Sequence, residues 1–208
     1  MKIEFMAPGP DRAGRYAVRF DDGSVLRLYR QTLEDHSIYA GLEMTDQEYR
    51  ALCQAAGKMS AKMRAVRIVS ASNVSRKDLE QRLIHKGEDE THAKEAVQWM
   101  EELRLVDDRV TAEQVVHSCI SKGYGLSRAK QALYEKRIPK AYWEEALADY
   151  PDQSDKILSF LRSRLDAESD QRDVKRAVDA LIRRGHSYPR IREALEQLRM
   201  DTEEFPEE

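Results

Sequence analysis

The sequence predicts a mainly α-helical protein: an elongated tandem array of three-helix repeats behind a small N-terminal β-hairpin or sheet extension. Three observations predict it. Ala, Leu, Glu, Lys, Arg, Gln and Met, the strong helix formers, dominate the 208 residues. Residues beyond about 60 repeat with a period near 50. The first 30 residues alternate apolar and polar side chains with period 2, which is a strand signal.

In chain order, Lys2–Met6, Tyr16–Phe20 and Val25–Tyr29 are short β-prone runs. Asp21-Asp22-Gly23-Ser24 separates the last two and reads as a hairpin turn, with Gly23 free to take positive φ. Such a small sheet is unstable alone and must pack on something. Thr45-Asp46-Gln47-Glu48 is a capping-box sequence, followed by Tyr49, Leu52, Cys53 and Ala56 at helical spacing. Cys53 is therefore expected on an apolar helix face, as a buried structural thiol rather than a reactive one. Further on, Ser75, Thr111, Ser127, Ser154 and Ser187 are expected N-caps, and Gly87, Gly123, Gly125 and Gly185 are expected helix stops.

Three stretches align without a gap. Leu83, Leu133 and Leu181 coincide, as do Lys86, Lys136 and Arg184, and then Gly87, Arg137 and Gly185. Beyond them Ala93, Trp143 and Ile191 fall together, followed by Ala96, Ala146 and Ala194, and then Val97, Leu147 and Leu195. Each stretch reads as a helix ending at a Lys/Arg-Gly-like element and a second helix after a short turn. An earlier helix precedes each pair, at about 58–70, 111–121 and 154–165. Such a unit cannot bury its apolar face alone, so neighbours stack. The expected division is an extension with a helix over 1–57, repeats over 58–106, 107–150 and 151–200, and an acidic tail over 201–208.

Composition excludes several classes. There are 35 Lys or Arg against 38 Asp or Glu, a net charge of −3. Mean hydropathy is −0.73, and no run of about 18 apolar residues is present, so no membrane span is expected. Met1–Pro10 lacks the apolar core of a signal peptide. Two cysteines, Cys53 and Cys119, make no disulfide framework and fit a reducing, cytoplasmic compartment. There is no Walker-type loop, and no Cys-x-x-Cys or His-x-x-x-His pair. Hence no catalytic residues, no metal and no cofactor are expected. Asp107-Asp108 and Glu88-Asp89-Glu90 read as turn and helix-start acids rather than as paired catalytic carboxylates. Trp143 shares the apolar register of Ala93 and Ile191, which makes it core rather than a stacking platform. Tyr124 and Tyr188, near turns, are candidates for exposure.

Charge is informative when counted locally. Gln171 to Arg192 holds seven basic and two acidic residues, giving +5, while Glu193 to Glu208 holds one basic and seven acidic, giving −6. Arg172, Lys175, Arg176 and Arg183 share a helix face, and Arg184, Arg190 and Arg192 complete the group. Six of the seven are Arg, which suits bidentate contact with phosphate or carboxylate. Lys86 and Lys136 hold the matching repeat positions. These nine residues are the expected contact surface for a partner or for DNA.

Leu103-Arg104-Leu105-Val106-Asp107-Asp108, then Gly123-Tyr124-Gly125 and Leu133-Tyr134-Glu135-Lys136-Arg137-Ile138, together resemble the RecX family of bacterial recombination regulators. Ser75-Arg76-Lys77-Asp78-Leu79 matches that family's first unit, and Leu181–Gly185 with His186, Ser187 and Tyr188 its third. The resemblance covers about residues 58 to 198, and the N-terminal hairpin is similar to the extension of longer members. Arg137 stands where the family has Gly, so it must take positive φ at some cost or the helix ends differently. His117, Ser118, Cys119 and Ile120 lie where members are often Arg-rich. The resemblance implies a non-enzymatic protein that binds the RecA filament on single-stranded DNA, and a monomer is expected. It implies inhibition of RecA's recombinase, ATPase and co-protease activities in DNA repair, with the DNA reached through the filament. The alternatives from the residues are an autonomous helical DNA-binding module and a general helical-repeat scaffold.

Overall fold

The N-terminal runs form an antiparallel meander of β1 (Ile3–Pro8), β2 (Arg15–Phe20) and β3 (Val25–Tyr29) in the order β1-β2-β3. The structure is a computed structural model that describes residues 1–9, 14–166 and 168–204, excluding the side chains of residues 200–204. Period 2 works as expected on β2: Val18 and Phe20 are buried while Arg19 is exposed. The sheet packs Ile3, Val18, Phe20 and Leu28 against Leu33, Leu52 and Ala56. Leu33 lies on the short helix α1 (Arg30–Asp35), and the other two lie on α2 (Asp46–Ala71). The Phe20 and Tyr49 rings meet edge-to-face, with centroids 5.0 Å apart.

Helix α2 starts at the expected capping box: Thr45 accepts from the Glu48 backbone and Glu48 accepts from the Thr45 backbone. It then runs for 26 residues without a break. The two helices expected on either side of residue 57 are therefore one. Gly57 does not interrupt it, and a Cβ there would meet the His92 ring at 2.5 Å. The glycine is explained by close packing of that ring, whose Nε2 lies 2.9 Å from Gln54 Oε1. Cys53 is half-buried rather than enclosed, and Cys119 is buried.

Three trios of helices follow from here. The C-terminal half of α2 packs with α3 (Arg76–His85) and α4 (Glu90–Glu102) around Ala65, Leu79, Leu83, Ala96 and Met100. Next come α5 (Asp108–Ser121), α6 (Leu126–Glu135) and α7 (Trp143–Leu147), around Ala112, Val116, Leu133 and Ile138. Last come α8 (Ser154–Arg162), α9 (Gln171–Arg183) and α10 (Tyr188–Glu204), around Ile157, Leu161, Ala177, Leu181 and Ile191. The middle trio departs from the repeat. Its third helix is five residues long after a 3-10 turn at Lys140–Tyr142. Trp143 is half-buried, its indole N–H donating to the Ile138 carbonyl at 3.0 Å.

Contacts divide the chain into two compact units, Met1–Val106 and Asp107–Glu208. No helix among the described residues is long and apolar enough to cross a membrane.

Some expected caps moved. Ser75 caps α3 as expected. The middle trio instead starts at Asp107, whose carboxylate accepts from the Arg109 and Val110 backbones, so Thr111 lies inside α5. Helix α6 starts after Gly125, which is thus an N-cap rather than a stop, and Ser127 lies within that helix. Ser154 is the first residue of α8, after Gln153. Asp107, Gly125 and Gln153, one to four residues upstream of the expected caps, hold the N-cap positions instead, and only Asp107 caps with its side chain. The acidic tail expected at 201–208 begins inside α10, which continues through Glu204, and its remainder lies outside the described residues.

The aligned Lys/Arg-Gly positions superpose in conformation as well as in sequence. Lys86, Lys136 and Arg184 are the C-cap residues of α3, α6 and α9. The next residues all take positive φ: Gly87 at 88°, Arg137 at 54° and Gly185 at 86°. Arg137 therefore ends its helix in the left-handed turn that the other two units assign to glycine.

Candidate basic interface on the third helical trio

Helix α9 is positioned by its own N-terminus and by its apolar stripe. Asp170 accepts from the Arg172 and Asp173 backbones, and Asp173 returns a contact to Asp170. Those backbone donors hold the Asp170 carboxyl below its usual range. Ala177 and Leu181 turn inward and Val174 and Val178 are half-buried, which leaves Arg172, Lys175, Arg176 and Arg183 outward.

The outward face borders a groove of about 510 Å³ between the end of α8 and α9. Arg176, Arg183 and Arg184 line it from α9 and its C-cap, with Asp173, and Arg164 lines it from the turn after α8. Ala177 and Ala180 have side chains too small to fill the space, which is why a concavity exists here. Phe160 closes the other side. The Arg184 guanidinium carbon lies 4.7 Å from the Phe160 ring centroid and that of Arg164 lies 5.5 Å away. Both are within cation–π range, so one ring orients two guanidiniums.

Four guanidiniums share this groove with one carboxylate. Arg176 pairs with Asp173 at 3.1 Å, but it is 79% exposed, so the pair holds the side chain only weakly. Arg164, Arg183 and Arg184 have no carboxylate within ion-pair distance among the described residues. Like charges gathered without counter-charge are stabilised by an anionic ligand, and guanidinium geometry favours flat carboxylates or phosphates held in pairs.

The other expected residues separate from this cluster. Arg172 and Lys175 are exposed on α9 but do not line the groove. Arg190 pairs with Asp152 at 3.2 Å and Glu193 at 3.6 Å, and Arg192 with Glu196 at 2.8 Å, exposed pairs that give each cation a nearby counter-charge. Lys136 is half-buried at the end of α6 and already in contact with a neighbour. Lys86 is exposed at the end of α3, in the other compact unit. Sequence reasoning missed Phe160 and Arg164. The signal was present: an aromatic residue four positions before an Arg at a helix end brings the two side chains together. Tyr188 is 61% exposed. Tyr124 is half-buried, its carbonyl taking a 2.6 Å bond from the Tyr150 hydroxyl. Burial pushes that hydroxyl's pKa up to about 12. Among the described residues no group of three or more His, Cys, Asp or Glu side chains is placed to hold a metal ion.

The family model described as RecX, second three-helix domain, matches residues 107–147. The chain is 28% identical over 140 residues to the regulatory protein RecX of Vibrio parahaemolyticus, covering 66% of this chain and 90% of that one. It is 26% identical over 149 residues to the regulatory protein RecX of Clostridioides difficile, covering 71% and 68%. Among solved structures, a crystal structure of a regulatory protein RecX matches with a TM-score of 0.61 at 20% identity, over 92% of this chain and 98% of that one. RecX from Lactobacillus salivarius matches with a TM-score of 0.60 at 22% identity, over 70% and 99%. At these identities the structural matches speak for the fold.

Proposed function

We propose that this chain is a member of the RecX family, to which it is similar in sequence, and that it binds the RecA recombinase assembled on single-stranded DNA and lowers its recombinase, ATPase and co-protease activities. The observation that carries the contact is the groove of Arg164, Arg176, Arg183 and Arg184 around Phe160. Its cations fit an acidic surface of the recombinase, and Phe160 holds two of them in place. Regulation of this kind needs no chemistry of the chain's own. A ligand shifts a filament equilibrium only as far as it binds one state better than the other. In this reading the protein works in the cytoplasm, as a monomer, and meets DNA through the filament.

The test is RecA's single-strand-dependent ATPase. Stoichiometric excess of the chain is expected to depress it. The double variant Arg176→Glu/Arg183→Glu should need about tenfold more protein for the same effect, as expected when charge-assisted contacts are lost. Both side chains are exposed, so the fold is retained. An ATPase rate unchanged by the unmodified chain contradicts the reading.

The second reading, autonomous DNA binding, draws on the same cations. It predicts a steep fall of affinity with salt for naked DNA, without any recombinase.

A further inference from the structure

A second basic concavity lies in the first compact unit, where the sheet meets the first helical trio. We propose that it is a binding site for a phosphate group, formed jointly by the N-terminal extension and the first repeat. The cleft has a volume of about 390 Å³. Its cations arrive from separate elements: Arg15 from β2, Arg64 and Arg67 from α2, Arg82 from α3, and Lys86 from that helix's C-cap.

Neighbours hold three of the guanidiniums in place. Arg64 Nε contacts the Glu88 carboxylate at 2.6 Å, and its Nη1 donates to the Lys86 carbonyl at 2.9 Å. Glu88 is itself tucked in, its side chain 7% exposed, and it accepts from Ser60 at 3.0 Å. Arg82 pairs with Asp78 at 2.9 Å. Arg67 donates to the Tyr29 hydroxyl at 2.8 Å. A guanidinium carries five N–H donors, and these contacts use only part of that capacity. Arg67 and Lys86 have no carboxylate within ion-pair distance among the described residues, so their charge is available to a ligand.

The lining decides the ligand class. Tyr29 and Ile68 are each 9% exposed, so the cleft offers little ring or apolar side-chain surface to a base beside its five cations. What is presented is convergent positive charge with N–H donors from several directions. A planar carboxylate satisfies one guanidinium fork, whereas a tetrahedral phosphate offers oxygens to several cations at once. Phosphate chemistry has two sources here, the backbone of a nucleic-acid strand and a free phosphorylated small molecule.

Both are tested on the full chain without recombinase, so the outcome is independent of the RecA reading. Titration with inorganic pyrophosphate examines the free ligand, and fluorescence anisotropy of a labelled oligothymidine examines the strand. Binding in at least one arm, weakened about tenfold by Arg67→Gln/Lys86→Gln and little changed by Arg176→Gln/Arg183→Gln, supports the site and identifies its source. Lys86→Gln alone replaces an exposed side chain, keeps the fold and should give part of the loss. No binding in either arm, or binding that ignores Arg67→Gln/Lys86→Gln, overturns the proposal.

Discussion

Arg137 occupies a backbone conformation that L-residues avoid, with φ at 54°. Its equivalents Gly87 and Gly185 reach the same region without a Cβ in the way. A left-handed residue other than glycine costs about 1–2 kcal/mol, and glycine returns about 0.4–1 kcal/mol of that through the unfolded chain. Arg137→Gly should therefore stabilise the protein by about 0.5–1 kcal/mol, read as a higher urea midpoint with an unchanged slope. A lower midpoint would show that the Arg137 side chain contributes more than its backbone costs. The residue scale is also where sequence reading succeeded most directly. Arg137, standing where the resembled family has Gly, left two outcomes open, a positive φ or a different helix end, and the structure shows the first. It succeeded less well at Cys53, because helical spacing does not say how much of a face a neighbour covers.

At the scale of elements, the turn before α6 and the turn after α9 touch backbone to backbone. The Gly125 N–H donates to the Arg184 carbonyl at 2.9 Å, and His186 Nε2 lies 3.1 Å from the Gly123 carbonyl. Since a carbonyl can only accept, Nε2 carries the proton. Burial lowers the basicity of His186, which favours an uncharged ring in this joint. A Cβ on Gly125 would lie 2.1 Å from the Gly185 carbonyl oxygen, and one on Gly185 would lie 2.3 Å from the Arg128 nitrogen. Backbone cannot retreat as a side-chain tip can, so Gly125→Ala should destabilise the protein by about 1–3 kcal/mol in urea unfolding. A loss under about 0.5 kcal/mol would mean that the joint is loose. None of this was legible from the sequence. Gly125 reads there as a helix stop, and only the fold reveals that a second glycine, sixty residues on, needs the same space. The continuous α2 escaped for a related reason: a glycine inside a helical pattern looks like punctuation until His92 is seen packed on it. Period-2 strands and the capping box, by contrast, are local patterns with local causes, and they appear where the sequence places them.

For the whole molecule, the net charge of −3 is an average that conceals its functional content. Counting by segment located the basic stretch on the third trio. It could not sort that stretch, because sorting depends on which carboxylates fold back onto which arginines. Arg190 and Arg192 are answered by Asp152, Glu193 and Glu196, while Arg183 and Arg184 are not. The interface proposed for RecA is therefore narrower than the run of charge and includes Arg164 and Phe160, which lie outside that run. Co-sedimentation with RecA–single-stranded DNA filaments tests this most directly. The unmodified chain should pellet with the filaments, and Arg176→Glu/Arg183→Glu, with the same helical circular dichroism, should stay largely in the supernatant. Equal pelleting of the two proteins, or of neither, would contradict the account.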